Sequence, residues 1–290
     1  MKKILSLTLA LAMLGPALTG CGSKDAATQT PAENPQQTAP VQQEQSQTEK
    51  ALALINTFAT GDTDTARSLL ADGYIQHNLA YGTGADAFIG SVEYLASADV
   101  KTTVNNIRAF EDGDKVFLQT VYKFAGAGEQ VAFDIFRFDE NGKIAEHWDN
   151  LAALAEPNPS GHTQTDGTME VTDLDKTEEN RELVNNFLYD VMQGNNPDKT
   201  PDYFDGDTYI QHNSGIADGV SGLNAALGAL AEQGISMVYD EVHMVLAQGN
   251  FVLAVTTDGS QILHRVGIQK FYDFVHDKYL QKICCFHLML

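Results

Sequence analysis

Apolar residues at Ala51, Leu52, Leu54, Ile55 and Phe58 recur with the spacing of a helix face, which predicts a helix over Glu49–Thr60. Gly61-Asp62 ends it, and Asp62 or Thr63 can cap a second short helix running to Leu70. Tyr74 to Asn78 alternates and predicts a short strand, whereas Phe88, Ile89, Val92 and Leu95 put one apolar face on a third helix over Ala85–Ala96. Four strand-like runs follow: Lys101–Phe110, Lys115–Phe124, Gln130–Asp139 and Lys143–Leu151. Turn signals at Glu111-Asp112-Gly113-Asp114 and Glu140-Asn141-Gly142 separate them. Helices followed by an antiparallel meander predict an α+β cone with an apolar interior.

The same pattern starts again further along. Tyr74-Ile75-Gln76-His77-Asn78 returns as Tyr209-Ile210-Gln211-His212-Asn213, 135 residues later. A period that long is a whole domain rather than a solenoid unit. A helix opening at Thr177 carries Leu183, Val184, Phe187, Leu188 and Val191 on one face, and another follows through Leu223, Leu227 and Leu230. The runs Val242–Leu246 and Phe251–Val255 stand where strands stand in the first copy. The expected architecture is therefore two tandem cone-shaped domains, at 49–156 and 177–290, each with N-terminal helices packed on a curved antiparallel sheet. The polar, Thr-, Gly- and Asp-rich stretch 157–176 reads as a linker.

Past Asp258 the copies diverge. Asp273 takes the place of Asp134, but His276 stands where an Arg follows in the first copy, and the end from Lys278 to Leu290 is unusually apolar, as a diverged or frameshifted terminus would be.

The front of the chain has a different character. Met1-Lys2-Lys3 is a positive n-region, Ile4–Leu14 an apolar run too short for a comfortable membrane span, and Leu18-Thr19-Gly20-Cys21 closes the segment. That sequence resembles the lipobox of bacterial lipoproteins, in which the Cys becomes the first mature residue and carries lipid. The resemblance implies a signal peptide over 1–21, lipidation at Cys21 and a cell-envelope location, anchored to the outer face of a membrane. The tract 22–48 is dominated by Ala, Thr, Pro, Gln and Glu and reads as a disordered tether.

Charge narrows the partners. A formal net charge of −21 repels phosphate backbones, so nucleic acid is excluded as a partner. Of three cysteines, Cys21 belongs to the anchor and Cys284 and Cys285 are adjacent, so no disulfide framework is present. There is no Cys-x-x-Cys and no His-Glu-x-x-His, and neither a metal nor another cofactor is expected.

Tyr-Ile-Gln-His-Asn after two helices, Asp134-Ile135-Phe136-Arg137 in the third long strand, and Gly142-Lys143-Ile144-Ala145-Glu146-His147-Trp148-Asp149 in the last together resemble the SnoaL-like family of the nuclear transport factor 2-like superfamily. The resemblance covers roughly Glu49–Ala153. It implies a cone around one deep pocket and, from the characterised polyketide cyclases, metal-independent acid/base chemistry by the Asp of Asp-x-x-Arg, here Asp134. The cyclases also place a His in the strand before that Asp; Val116–Tyr122 contains none.

Strand geometry supplies the rest. Ala132, Asp134 and Phe136 share a face, so Asp134 sits among apolar neighbours, where burial raises a carboxyl pKa and suits proton transfer near neutrality. His77 and Asn78 point to opposite faces, so one of them lines the pocket; His147 and Asp149 share a face opposite Glu146 and Trp148. The candidate catalytic residues are Asp134 and His77, with Tyr74, Asn78, Trp148 and His147 as substrate-binding candidates. Two functions of different class fit this pattern. One is aldol-type or isomerase chemistry on a small apolar carbonyl compound. The other is a non-catalytic module that holds a small hydrophobic ligand or dimerises, with the two domains pairing within one chain as a variant.

Overall fold

The computed structural model describes residues 45–236, 239–258 and 261–262. The expected signal peptide, the lipidation site Cys21, most of the tether, and Asp273, His276 and the apolar tail lie outside them. Among the described residues, no helix is long and apolar enough to cross a membrane.

The first half is an α+β unit. Helix α1 (Gln47–Thr60) begins two residues before the expected start because Ser46 and Glu49 form a reciprocal capping box. Gly61 ends it at φ 75°, and a Cβ there would meet that of Ala96 at 2.7 Å, so both backbone and packing require glycine. Asp62 caps α2 (Thr63–Leu69). After β1 (Leu70–Gln76) and α3 (Ala85–Ser97) come β2 (Thr103–Asp112), β3 (Lys115–Lys123), β4 (Gln130–Phe138) and β5 (Ile144–Ala153). The strands form one curved sheet in the order β1-β5-β4-β3-β2. Only β1 and β5 run parallel, with Ile75 opposite Glu146 and Gln76 opposite His147.

The sheet is covered on both sides. On its inner face Val116, Leu118, Tyr122, Ala132, Phe136 and Ile144 pack against Leu54, Ile55, Phe88, Ile89 and Val92 of the helices. On its outer face Phe110, Phe117 and Ile135, with Phe133 and Trp148, pack against Leu246, Phe251, Leu253 and Val255 from the second half. That double burial explains why β3 and β4 read as nearly unbroken apolar runs instead of alternating.

In the second half, α4 (Thr177–Phe187) and α5 (Gly219–Glu232) precede β6 (Ile235–Ser236), β7 (Tyr239–Gln248), β8 (Phe251–Asp258) and β9 (Gln261–Ile262). Strands β7 and β8 form an antiparallel pair, as do β6 and β9. Among the described residues, Tyr209–Asn213 joins no ladder, unlike β1, whose partner is the last strand of its own sheet. Arg181 of α4 ties the halves together, donating to Asp112 at 2.7 Å and to the Val245 carbonyl at 2.9 Å.

The stretch expected as a linker is bonded along its length. Buried Arg108 donates to the carbonyls of Thr165 and Asp166, Gln119 to that of Gln164, and Thr172 exchanges bonds with Asn250. Gly249 makes that last approach possible: a Cβ there would lie 1.8 Å from the Thr172 carbonyl oxygen.

Candidate functional site

The site is set by register. Across β4 and β5, Asp134 stands directly opposite Asp149 and Phe136 opposite His147, so all four side chains project from the inner face into the cone. Asp134 is 3 % exposed. Its two oxygens each accept a bond: Oδ2 from the Tyr122 hydroxyl at 2.9 Å, and Oδ1 from His147 Nε2 at 3.1 Å. The His147 ring is held flat against Phe136, centroids 4.3 Å apart.

Its tautomer follows from β1. The Gln76 side-chain oxygen Oε1 accepts the Asn78 backbone N–H, which turns the Gln76 NH2 toward His147 Nδ1 at 2.9 Å. An amide NH2 can only donate, so Nδ1 accepts and the proton sits on Nε2, facing Asp134. The Ala80 N–H fixes Asn78 in the same way, through its side-chain oxygen, and the Asn78 amide then donates to Asp149. Asn78 is thus the residue of the His77-Asn78 pair that lines the cone.

Two like charges directly opposite on one sheet face repel. Burial raises the Asp149 pKa above the ordinary carboxylate value; Asp134 adds to the rise, while His147 and the Asn78 bond oppose it. Burial also raises the hydroxyls of Tyr122, Tyr74 and Tyr81, with both carboxylates adding in each case. Tyr74 is 2 % exposed and its hydroxyl has no hydrogen-bond partner among the described residues.

The structure does not bring His77 to Asp134. His77 lies on the outer face, stacked on Trp148 at 4.4 Å, and bonds Glu146 at 2.8 Å. Burial raises the Glu146 pKa, but bonds from His77 and Arg137 outweigh it and hold the group below its ordinary value. Trp148 therefore packs and does not line the cone. Of the residues named from sequence, Asp134, His147, Tyr74 and Asn78 converge. Sequence reading left out Tyr122, Gln76 and Asp149, the last placed only on the face of His147; for Gln76, its two-residue spacing from Asn78 was the available signal.

The second copy of the pentapeptide keeps the local bonds and changes the partners. Asn213 N–H donates to Gln211 at 2.8 Å and Gly215 N–H to Asn213 at 2.9 Å, as in the first copy. The Gln211 amide, however, donates to the Tyr209 hydroxyl, and His212 donates to the Thr163 carbonyl. His212 also contacts Asp166, whose other oxygen pairs with His162; that imidazole reaches Asp218 at 3.2 Å on its far side. The Asp166 bond, and the charges of Asp218 and Asp166, raise the His162 pKa despite some desolvation. A His raised in the folded state contributes stability that is complete below its ordinary value of about 6.5 and is lost as pH rises through the folded value. The pH slope of stability above about 6.5 is expected to flatten in His162→Gln, measured by urea unfolding at several pH values; an unchanged slope would sink the assignment.

Among the described residues, Asp134, His147 and Asp149 are the group whose donor atoms lie close enough for a metal ion, all within 4.8 Å. The fit is poor. His147 has Nδ1 committed to Gln76 and a proton on Nε2, so it offers no lone pair. A separate surface groove of about 460 Å³, lined by Asp173, Lys176, Glu179 and Asn180 among others, holds no comparable constellation.

Residues 51–147 match the SnoaL-like domain.

The match spans α1 to the middle of β5 and ends two residues before Asp149. No curated protein matches the chain. Among solved structures, TsrD from Streptomyces laurentii is 18 % identical, covering 36 % of this chain and 86 % of its own, with a TM-score of 0.32. A nuclear transport factor 2-like protein of unknown function from Cytophaga hutchinsonii is 15 % identical, covering 39 % and 95 %, with a TM-score of 0.34. IdmH from Streptomyces antibioticus, described as a candidate polyketide cyclase, is 19 % identical, covering 37 % and 92 %, with a TM-score of 0.31.

Proposed function

We propose that the SnoaL-like domain performs acid/base chemistry on a small apolar carbonyl compound, by proton abstraction α to the carbonyl or by an aldol-type closure. The observation that carries this reading is the opposed, buried pair Asp134 and Asp149, placed in unlike surroundings. Two carboxyl groups whose environments differ divide the roles of base and acid. Asp134, accepting from Tyr122 and from His147 Nε2–H, is the base. Asp149, held toward its acid form, is the proton donor. In the enolisation step Asp134 takes the α-proton, the C–H electron pair forms the C=C bond, and the carbonyl oxygen receives the Asp149 proton. His147 touches Asp134 and orients it. In the wider reading the chain is exported, held by lipid at Cys21 on an extracytoplasmic surface, and carries a second, diverged cone after the first.

The direct test is deuterium incorporation at the α-carbon of a panel of small ketones and aldehydes in D2O, followed by NMR. Incorporation above the buffer rate is expected, declining as pH rises through the titration of Asp149, above the ordinary value of about 3.9. Absence of exchange across the panel would overturn catalysis. The rival reading, a ligand holder without turnover, is favoured by the near-complete burial of Asp134. Dimerisation through the outer sheet face has less support, since β7 and β8 of the same chain cover that face.

A further inference from the structure

The inner face holds two opposed carboxyl groups beside the His147 imidazole, and none of the groups acting on Asp149 is a Lys or Arg. The one nearby guanidinium on these strands, that of Arg137, belongs to the outer face with Glu146. Opposed buried carboxylates are relieved either by a proton or by a cation between them.

The packed interior beside them is aromatic. Tyr74 meets Phe88 edge-on at 6.0 Å, Phe88 meets Phe58 at 4.9 Å, and Phe58 meets Tyr122 and Phe124 at 6.4 and 5.9 Å. This row of rings runs from the unpartnered Tyr74 hydroxyl to the hydroxyl bonded to Asp134. The second copy of the pentapeptide provides an internal comparison. There the Gln amide donates to the Tyr hydroxyl, whereas in the first copy it is diverted to His147, leaving the Tyr74 oxygen free to accept. Carboxylates to pair with a charge, ring faces to attract it and a free hydroxyl oxygen to accept an N–H form a set of groups suited to an ammonium. Tyr81, 49 % exposed and within the field of both carboxylates, marks the side from which a ligand approaches.

We propose that the preferred ligand of the first cone carries a protonated amine on a small apolar or aromatic body, its nitrogen seated between Asp149 and the Tyr74 hydroxyl. This rests on the reading of the cone as a ligand site and names the class of molecule it takes. The strongly acidic chain favours the approach of such a cation and opposes that of an anion. An inorganic cation is a weaker fit, because the lone pair on His147 Nδ1 is taken by the Gln76 amide.

The test uses the whole chain and three probes of similar shape: benzylammonium, benzyl alcohol and benzoate, with binding followed by protein-observed NMR. Benzylammonium is expected to bind at least tenfold more tightly than benzyl alcohol, and benzoate more weakly than either. Asp149→Asn is expected to reduce the advantage of the cation over the alcohol to within about twofold, and Tyr74→Phe, which removes only an unpartnered oxygen, to reduce it partly. Equal binding of alcohol and amine would overturn the proposal, as would displacement of the amine by Mn2+ at equimolar concentration. Deuterium exchange separates this from the catalytic reading. Ketone exchange that benzylammonium fails to inhibit would sink the ammonium site and leave catalysis standing. Amine binding without any exchange would do the reverse.

Discussion

Asp134→Asn is expected to abolish α-proton exchange, with a loss of about 10²- to 10⁴-fold if Asp134 is the base. The amide preserves shape but offers one acceptor where the carboxylate offers two. Tyr122 O–H and His147 Nε2–H both point at that side chain, so one buried donor is left facing an NH2 group. An unsatisfied buried donor costs about 1–3 kcal/mol, and Asp134→Ala, which strands both, is expected to cost more. Removing the charge relieves Asp149, so its pKa is expected to fall toward the ordinary carboxylate value without reaching it, because burial is the larger cause of its rise. Carboxyl-resolved NMR titration reads that shift, and thermal unfolding by circular dichroism reads the cost. An Asn variant with exchange at the wild-type rate would remove Asp134 from the chemistry and return the site to a structural role.

Phe110→Ala is expected to destabilise the folded chain by about 3–5 kcal/mol. Phe110 is 3 % exposed and lies between Phe117, at 5.0 Å, and Phe251, at 6.1 Å with rings nearly parallel. Phe117 is on the outer face of the first sheet and Phe251 on β8, so truncation opens a cavity where the halves dock. The single tryptophan, Trp148, packs against the same cluster and provides the signal for urea unfolding. A loss under about 1 kcal/mol would show that the sheet face is covered without being stabilised by that cover.

Local chemistry made most of the first half readable. Alternation placed Ala132, Asp134 and Phe136 on one face, and His147 and Asp149 on one face, as the sheet has them. Helix periodicity found α1, α2 and α3 to within two or three residues, because capping and apolar spacing act over a single turn. The two copies of Tyr-Ile-Gln-His-Asn share one local bond, from the Asn backbone N–H to the Gln side-chain oxygen.

The partners across the fold were not legible. Whether His77 or Asn78 enters the cone depends on which face of β1 turns inward, and that is decided by the parallel pairing of β1 with β5, some 70 residues away. That pairing sends His77 to Trp148 and Glu146 and gives the imidazole facing Asp134 to His147. Likewise, nothing local distinguishes a linker from a strap; Pro157–Lys176 is held by Arg108 and Gln119 from one half and by Asn250 and His212 from the other. The sequence by itself determined the helices and the later strands of the first half and the face each side chain takes within them, since those follow from periods of 3.6 and 2; it set the first strand at Tyr74–Asn78, where the structure has Leu70–Gln76. Only the tertiary structure decided which acid meets which base, because strand register is a long-range choice that no local period encodes.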